Sequence, residues 1–345
     1  MLRIKKLLIG LFLVVFSLSP MAFAQDSGST NIANGMQISP TRTEMSLLPG
    51  EQKEFSISVK NVADVPLKLE STVNDFESDG ITGTPQIVVD ENRQVSTSLK
   101  NYVKGLGEVD LEAGESKDVT LTVDMPDNVP PGAYYGAVRF TIIQDGNSTS
   151  GDGTQVSLNA SVASLLFVEV SGDITQQIQI ESMNICGIEV RETQNIDPNT
   201  SPQGTGIQEN CDKTSSFFFS PPNVASIKIA NKGNGFSRPF GRVSLSRGST
   251  EIYSYELNNS EPRGTVLPDS TRVFSNKIEG ANKIGRYTLL ASISHGDGGE
   301  VIIQKATFWY IPPWAIVVIV AIILALIALM FVIYKKLGKK RKGKK

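Results

Sequence analysis

An all-β exterior of two tandem sandwiches, followed by one C-terminal membrane helix, is the architecture this chain predicts. Three observations predict it. Apolar and polar residues alternate with period two over many short stretches. One order of strands and turns occurs twice. Residues Ala315 to Ile333 form an uninterrupted apolar run of 19.

The alternation is clearest in three places. Phe55, Ile57 and Val59 alternate with Glu54, Ser56, Ser58 and Lys60. Val119, Leu121, Val123 and Met125 alternate with Asp118, Thr120, Thr122 and Asp124. Tyr134, Gly136, Val138, Phe140 and Ile142 make one face of a third stretch; Ala133, Tyr135, Ala137, Arg139 and Thr141 make the other. Period two means strands, and alternation means one face in a core and one in water, as in antiparallel sheets. Turn residues separate them: Leu48-Pro49-Gly50-Glu51, Asn61-Val62-Ala63-Asp64 and Asp297-Gly298-Gly299.

The repeat pairs Val59-Lys60-Asn61, its turn and Val65-Pro66-Leu67 with Ile227 to Asn231, Lys232 to Gly235 and a new strand. Leu111-Glu112-Ala113-Gly114-Glu115 is answered by Leu267-Pro268-Asp269-Ser270, and a strand at Arg272 to Ile278 follows. Gly132-Ala133-Tyr134 is answered by Gly285-Arg286-Tyr287. A tyrosine opening a late strand is the corner tyrosine of sandwich domains, so the two copies read as immunoglobulin-like. The predicted order is a signal peptide over 1–24, a linker over 25–35, a first sandwich over 36–171 and a second over 172–311. A transmembrane helix over 312–334 and a basic tail over 335–345 complete it. The boundary falls near Gly172, with a strand from Gln155 to Val170 before it and one from Ile174 to Met183 after.

Two segments lack counterparts: residues 79–108 and an insertion over 184–222. The insertion is rich in Asn, Pro, Gly, Ser and Gln. Cys186 and Cys211 bracket most of it and are predicted to form a disulfide, since an exported pair meets an oxidising space. A metal site is the alternative, and it lacks nearby histidine. Phe217-Phe218-Phe219 at the edge reads as a core strand or as an exposed sticky patch. Asp145 to Thr154 reads as a hairpin tip.

The chain's ends set the expected topology. Arg3, Lys5 and Lys6, the apolar Leu7 to Leu18 and Ala22-Phe23-Ala24 read as a secretory signal. The apolar run is long enough to span a bilayer. Trp309, Tyr310 and Trp314 precede it at interface depth, and Tyr334 to Lys345 carry eight Lys or Arg in twelve residues. Basic residues beside a span stay in the cytoplasm. The expected location is the plasma membrane, single-pass, with the bulk outside. That exterior holds 22 Lys and Arg against 35 Asp and Glu, a net of −13, which argues against nucleic-acid binding.

Catalytic motifs are absent. The sequence has no P-loop, no His-Glu-x-x-His, no paired Cys-x-x-Cys and no Gly-x-Ser-x-Gly. Its one histidine, His295, sits beside a Gly-Asp-Gly turn that explains it better than catalysis does. No cofactor, catalytic residue, metal ligand or small-molecule substrate is predicted, and the partner-binding residues stay unassigned.

The layout resembles the WxL-interacting surface proteins of Gram-positive bacteria. The local echoes are Ile38-Ser39-Pro40, Leu48-Pro49-Gly50-Glu51, Val59-Lys60-Asn61, Met125-Pro126 and Gly132 through Phe140. The resemblance implies a peptidoglycan-binding first domain and a second domain that binds a host or surface partner. The cysteine-bracketed insertion departs from that pattern. The expected function is a non-enzymatic, membrane-anchored surface protein that binds cell wall or a surface partner protein. The alternative is a membrane-tethered assembly chaperone that recruits a client by strand addition, with Arg139 as its basic anchor.

Overall fold

The structure, a computed structural model, describes residues 31–33, 35–88, 93, 95–143, 160–187, 211, 215–296 and 300–342. The predicted signal, the hairpin tip at 145–154, most of the insertion, the Asp297-Gly298-Gly299 turn and the last tail residues lie outside the described residues.

Two β-sandwiches follow one another, each with its own core. In the first, one sheet runs β1 (Asn31–Ala33), β2 (Met36–Ser39), β4 (Gln52–Asn61), β10 (Ser116–Asp124) and β8 (Val103–Lys104). The facing sheet runs β3 (Arg42–Leu47), β12 (Ser161–Val170), β11 (Gly132–Ile142), β5 (Leu67–Asn74) and β9 (Glu108–Leu111). A separate hairpin, β6 (Phe76–Ser78) with β7 (Pro85–Ile87), lies against β11. The alternation places Ile57, Val59, Leu121, Val123, Val138 and Phe140 fully inside, with Lys60 and Asp118 outside. Each such apolar side chain contributes roughly 2 kcal/mol of transfer free energy.

The second sandwich repeats this order. One sheet is β13 (Ile178–Cys186), β15 (Val224–Asn231) and β18 (Thr271–Lys277). The other is β14 (Phe217–Phe218), β20 (Ile302–Tyr310), β19 (Gly285–Ser294), β16 (Phe240–Arg247) and β17 (Thr250–Leu257). The chain crosses between sheets at equivalent points, β2 to β3 and β13 to β14. In both cases the strand after the crossing pairs in parallel with the sandwich's last strand. Those two ladders are the departure from the antiparallel expectation.

Local signals recur with the topology. The Tyr134 hydroxyl donates to the Pro130 carbonyl at 3.0 Å, and the Tyr287 hydroxyl donates to the Lys283 carbonyl at 2.5 Å. These are the corner tyrosines. Asn61 and Asn231 end β4 and β15, and both are buried. Asn61 Nδ2 donates to the carbonyls of Val65, Leu111 and Glu112, and Asn231 Nδ2 to those of Gly235 and Val266. Each side-chain oxygen accepts an N–H two residues on, from Ala63 and from Gly233. One amide thus serves backbone groups that would otherwise be buried without partners.

Strand limits differ from the sequence reading where apolar content misleads. Residues 155–159 of the predicted strand lie outside the described residues and its described part is β12 from Ser161, while β13 spans Ile178–Cys186 rather than Ile174 to Met183. The insertion's described ends belong to the sheets: Asn184, Ile185 and Cys186 pair with Ser226, Ala225 and Val224, while Phe217 and Phe218 pair with Trp309 and Tyr310. β11 was expected to be half-buried and is buried on both faces over its first seven residues. Its outer face is covered by the β6–β7 hairpin and by residues of the second sandwich.

The helix α1 (Pro313–Lys342) follows β20 after two residues. Proline at its first position needs no N–H partner there and breaks the strand. Its segment Pro313–Lys335 has mean hydropathy 3.6, is long and apolar enough to cross a membrane, and is left exposed by the described residues beyond Ala315. A helix apolar all round and unburied by protein fits a single-pass membrane anchor.

Candidate functional site

The junction of the two sandwiches gathers most of the unusual chemistry. Its floor is aromatic. Phe76, Tyr135 and Phe167 of the first sandwich meet Phe236 and Leu267 of the second. Ring centroids lie 5.0 Å apart for Phe76–Tyr135 and 5.3 Å for Phe167–Phe236. Tilted and edge-on pairs at this spacing are favourable beyond their burial.

Backbone contacts fix the two bodies around that floor. Ala133 N–H donates to the Asn234 carbonyl at 2.8 Å, and Asn234 Nδ2 donates to the Pro131 carbonyl at 3.1 Å. Gly132 sits at φ +146° there, and a Cβ on it would stand 2.9 Å from the Asn234 oxygen. On the far side, Val273 N–H donates to the Ile81 carbonyl and the Thr271 hydroxyl to the Gly80 carbonyl, 2.7 and 2.8 Å. The loop that supplies those carbonyls is held by Asp79, whose carboxylate accepts the N–H groups of Ile81 and Gly83. Burial pushes the Asp79 pKa up, but the Thr82 hydroxyl and the N–H groups of Ile81, Thr82 and Gly83 outweigh it, and the net shift is down.

Above the floor lies a cavity of about 320 Å³. Arg42, Arg263 and Arg272 line it together with Phe76, Phe167, Leu165 and Leu267, and its lining contains no acidic residue among the described residues. Thr265 is the hub: its hydroxyl accepts from Arg42 Nη2 at 3.0 Å and Arg238 Nε at 3.2 Å, and its carbonyl from Arg272 Nη1 at 3.1 Å. Arg42 stacks over Phe167 at 4.2 Å and Arg263 over Phe240 at 4.3 Å. Arg42 and Arg238 share Glu44. Arg42 Nε is buried and has no hydrogen-bond partner.

Burial lowers the pKa of the Arg42 and Arg272 guanidiniums; Glu44 and Asp79 respectively act against it, and neighbouring positive charge adds to it. Both stay protonated at any physiological pH. Guanidinium groups above an apolar floor can receive a carboxylate through charge-assisted hydrogen bonds. A second cavity of about 460 Å³ beside it is mixed in charge, with Glu44 and Glu169 opposite Arg238 and Arg263.

The residues singled out in sequence fall elsewhere. Cys186 and Cys211 are joined, with Cα atoms 5.7 Å apart, and pack on Val224. Arg139 lies on β11 opposite Thr72 and Ala163, with its Nε unpartnered. His295 is buried at the end of β19 with Nδ1 unpartnered. Among the described residues, no group of three His, Cys, Asp or Glu is placed to hold a metal ion. Phe217-Phe218-Phe219 splits: Phe218 is in the core, and its neighbours are each 55% exposed. The arginine cavity was missed because its members are up to 230 positions apart and meet only in space. Spaced arginines in an acidic exterior were the one available signal.

No curated protein matches the chain. Solved structures resemble the chain at low identity and low TM-score. A chaperone–tip adhesin complex of CFA/I fimbriae biogenesis is 16% identical with TM-score 0.37, covering 80% of this chain and 99% of that one. The class 5 fimbriae chaperone CfaA is 15% identical with TM-score 0.35, covering 80% and 99%. The E. coli chaperone DraB is 14% identical with TM-score 0.31, covering 79% and 96%. Residues 33–141 match the family described as WxL Interacting Protein, peptidoglycan binding domain.

Proposed function

We propose that this chain is a non-enzymatic, single-pass surface protein that holds peptidoglycan through its first sandwich and the junction that sandwich forms with the second. The match of residues 33–141 to a peptidoglycan binding domain carries the reading. In it, residues 1–24 are removed on export, 36–171 and 172–311 are the two domains, and the helix lies in the plasma membrane with its basic end inside. The second sandwich and its insertion serve a surface partner.

The arginine cavity supplies a mechanism for wall binding. Wall peptides carry free carboxylates beside short apolar side chains, and the cavity offers guanidinium donors above aromatic rings. Arg42 and Arg263 hold the carboxylate, Phe76 and Phe167 take the apolar neighbour, Thr265 holds Arg42 in place and the Phe240 ring supports Arg263.

Co-sedimentation of residues 25–311 with purified peptidoglycan, over a range of salt, tests this. Saturable pelleting that weakens about tenfold in Arg263→Ala supports both the wall reading and the cavity, since a hydrogen bond to a charged group is worth about 1.5–3 kcal/mol. Pelleting unchanged in Arg42→Ala and Arg263→Ala keeps the wall reading and rejects the cavity. No pelleting rejects both.

A further inference from the structure

The membrane-proximal end of the second sandwich carries aromatic residues that the core does not use. Trp309 is 44% exposed, Phe217 and Phe219 are each 55% exposed, and Trp314 is 64% exposed. Phe217 and Trp309 are register partners across β14 and β20, so they stand side by side on the outer face. Ile311 N–H donates to the Phe218 carbonyl at 2.9 Å, which sets Phe219 level with the last residues before the helix. Only two residues separate β20 from the helix, and Ala315 in its first turn is 4% exposed, so no slack linker intervenes. Basic groups share this end. Arg286 is the register partner of Trp309, Arg247 packs by Gly285, and Lys283 holds the Tyr287 corner.

Exposed aromatics beside cations are costly to leave in water and suit the headgroup layer of an anionic bilayer, where rings and guanidiniums both find partners. Trp309 is at most about 20 Å of extended chain from Ala315. We infer that Phe217, Phe219 and Trp309 form a membrane-docking surface, so that the second sandwich rests on the bilayer that its own helix crosses. This rests on the anchor reading above. The docked domain cannot swing freely, and its insertion, leaving β13 at Cys186, emerges at the lipid surface.

The two tryptophans of the chain separate docking from anchoring. The full chain is placed in vesicles of phosphatidylcholine and phosphatidylglycerol, with phosphatidylcholine brominated near the top of its acyl chains as quencher. The Trp314→Phe variant leaves Trp309 to report docking; the Trp309→Phe variant leaves Trp314 to report the anchor. Docking predicts that Trp309 fluorescence falls at least twofold on bromination. It also predicts that most of this quenching is lost in Phe217→Ser/Phe219→Ser, whose thermal transition stays in place because Phe218 keeps its core position. Trp309 unquenched while Trp314 is quenched overturns docking and leaves the anchor standing. Quenching of neither overturns both. Quenching of Trp309 that ignores the phenylalanine changes also overturns the surface, because the tether alone then explains proximity.

Discussion

The two sandwiches solve one topological step in opposite ways. Where the chain crosses from one sheet to the other, the first sandwich uses residues 40–41, and the second uses residues 187–216. Both crossings end in a strand parallel to the last strand, so the core is built identically on either side. A sheet crossing is therefore a place where chain can be added at small cost. Loop-closure entropy grows only logarithmically, and the flanking strands keep their partners. The first sandwich adds chain between β5 and β10 instead, and uses it to complete its own sheet and to grip its neighbour. Tyr135 N–H donates to the Thr97 carbonyl there, and Ile81 and Gly80 reach β18.

The largest test of equivalence is the buried asparagine. Asn61→Ala and Asn231→Ala each leave buried carbonyls without donors, and a loss of about 4 kcal/mol is expected from the sandwich that carries the change. Asn61 serves three carbonyls and Asn231 two, so the first should cost more. Chemical denaturation of both variants ranks them; the reverse order breaks the equivalence.

Removing the disulfide sharpens the contrast. Cys186→Ser/Cys211→Ser frees a loop with a sequence separation of 25, worth about 3 kcal/mol in the chain-entropy account. Calorimetry should show the second sandwich melting earlier and the first unmoved. The corner tyrosines come next. Tyr134→Phe should cost about 1 kcal/mol. Tyr287→Phe should cost somewhat more, because its hydroxyl also accepts the Lys283 N–H at 3.1 Å.

The smallest effect concerns the grip between the bodies. Asp79 has a lowered pKa in the folded state, so its contribution is present above its ordinary value of 3.8 and is lost as pH falls through the folded value. Below that point the loop at 79–83 should loosen and the two melting transitions should separate. Asp79→Asn should show that separation already at neutral pH, with less dependence on acid.

Much of this was legible from local pattern. Ile57 and Val59 announced an inward face, Tyr134 and Tyr287 announced their corners, and the repeat aligned Asn61 with Asn231. What escaped depends on tertiary contact. Tyr135 and Ala137 read as a solvent face because nothing in sequence reveals that Phe236 and Leu267 cover them. Phe217 and Phe218 look identical in sequence, and only the register with Trp309 and Tyr310 assigns one to the outside and one to the core. The family resemblance anticipated the first domain, while the arginine cavity depends on the packing of two sandwiches and has no linear signature.

The covalent link at the base of the insertion also decides how the molecule carries tension. A chain pulled between its first sandwich and its helix transmits load through β13 and β20. Without the Cys186–Cys211 bond, peeling β13 would release the segment that follows it, some 85 Å of contour at about 3.4 Å per residue. With the bond in place, force passes from Cys186 through sulfur to Cys211 and bypasses the insertion. The insertion then adds no slack, and the tether stays short under strain.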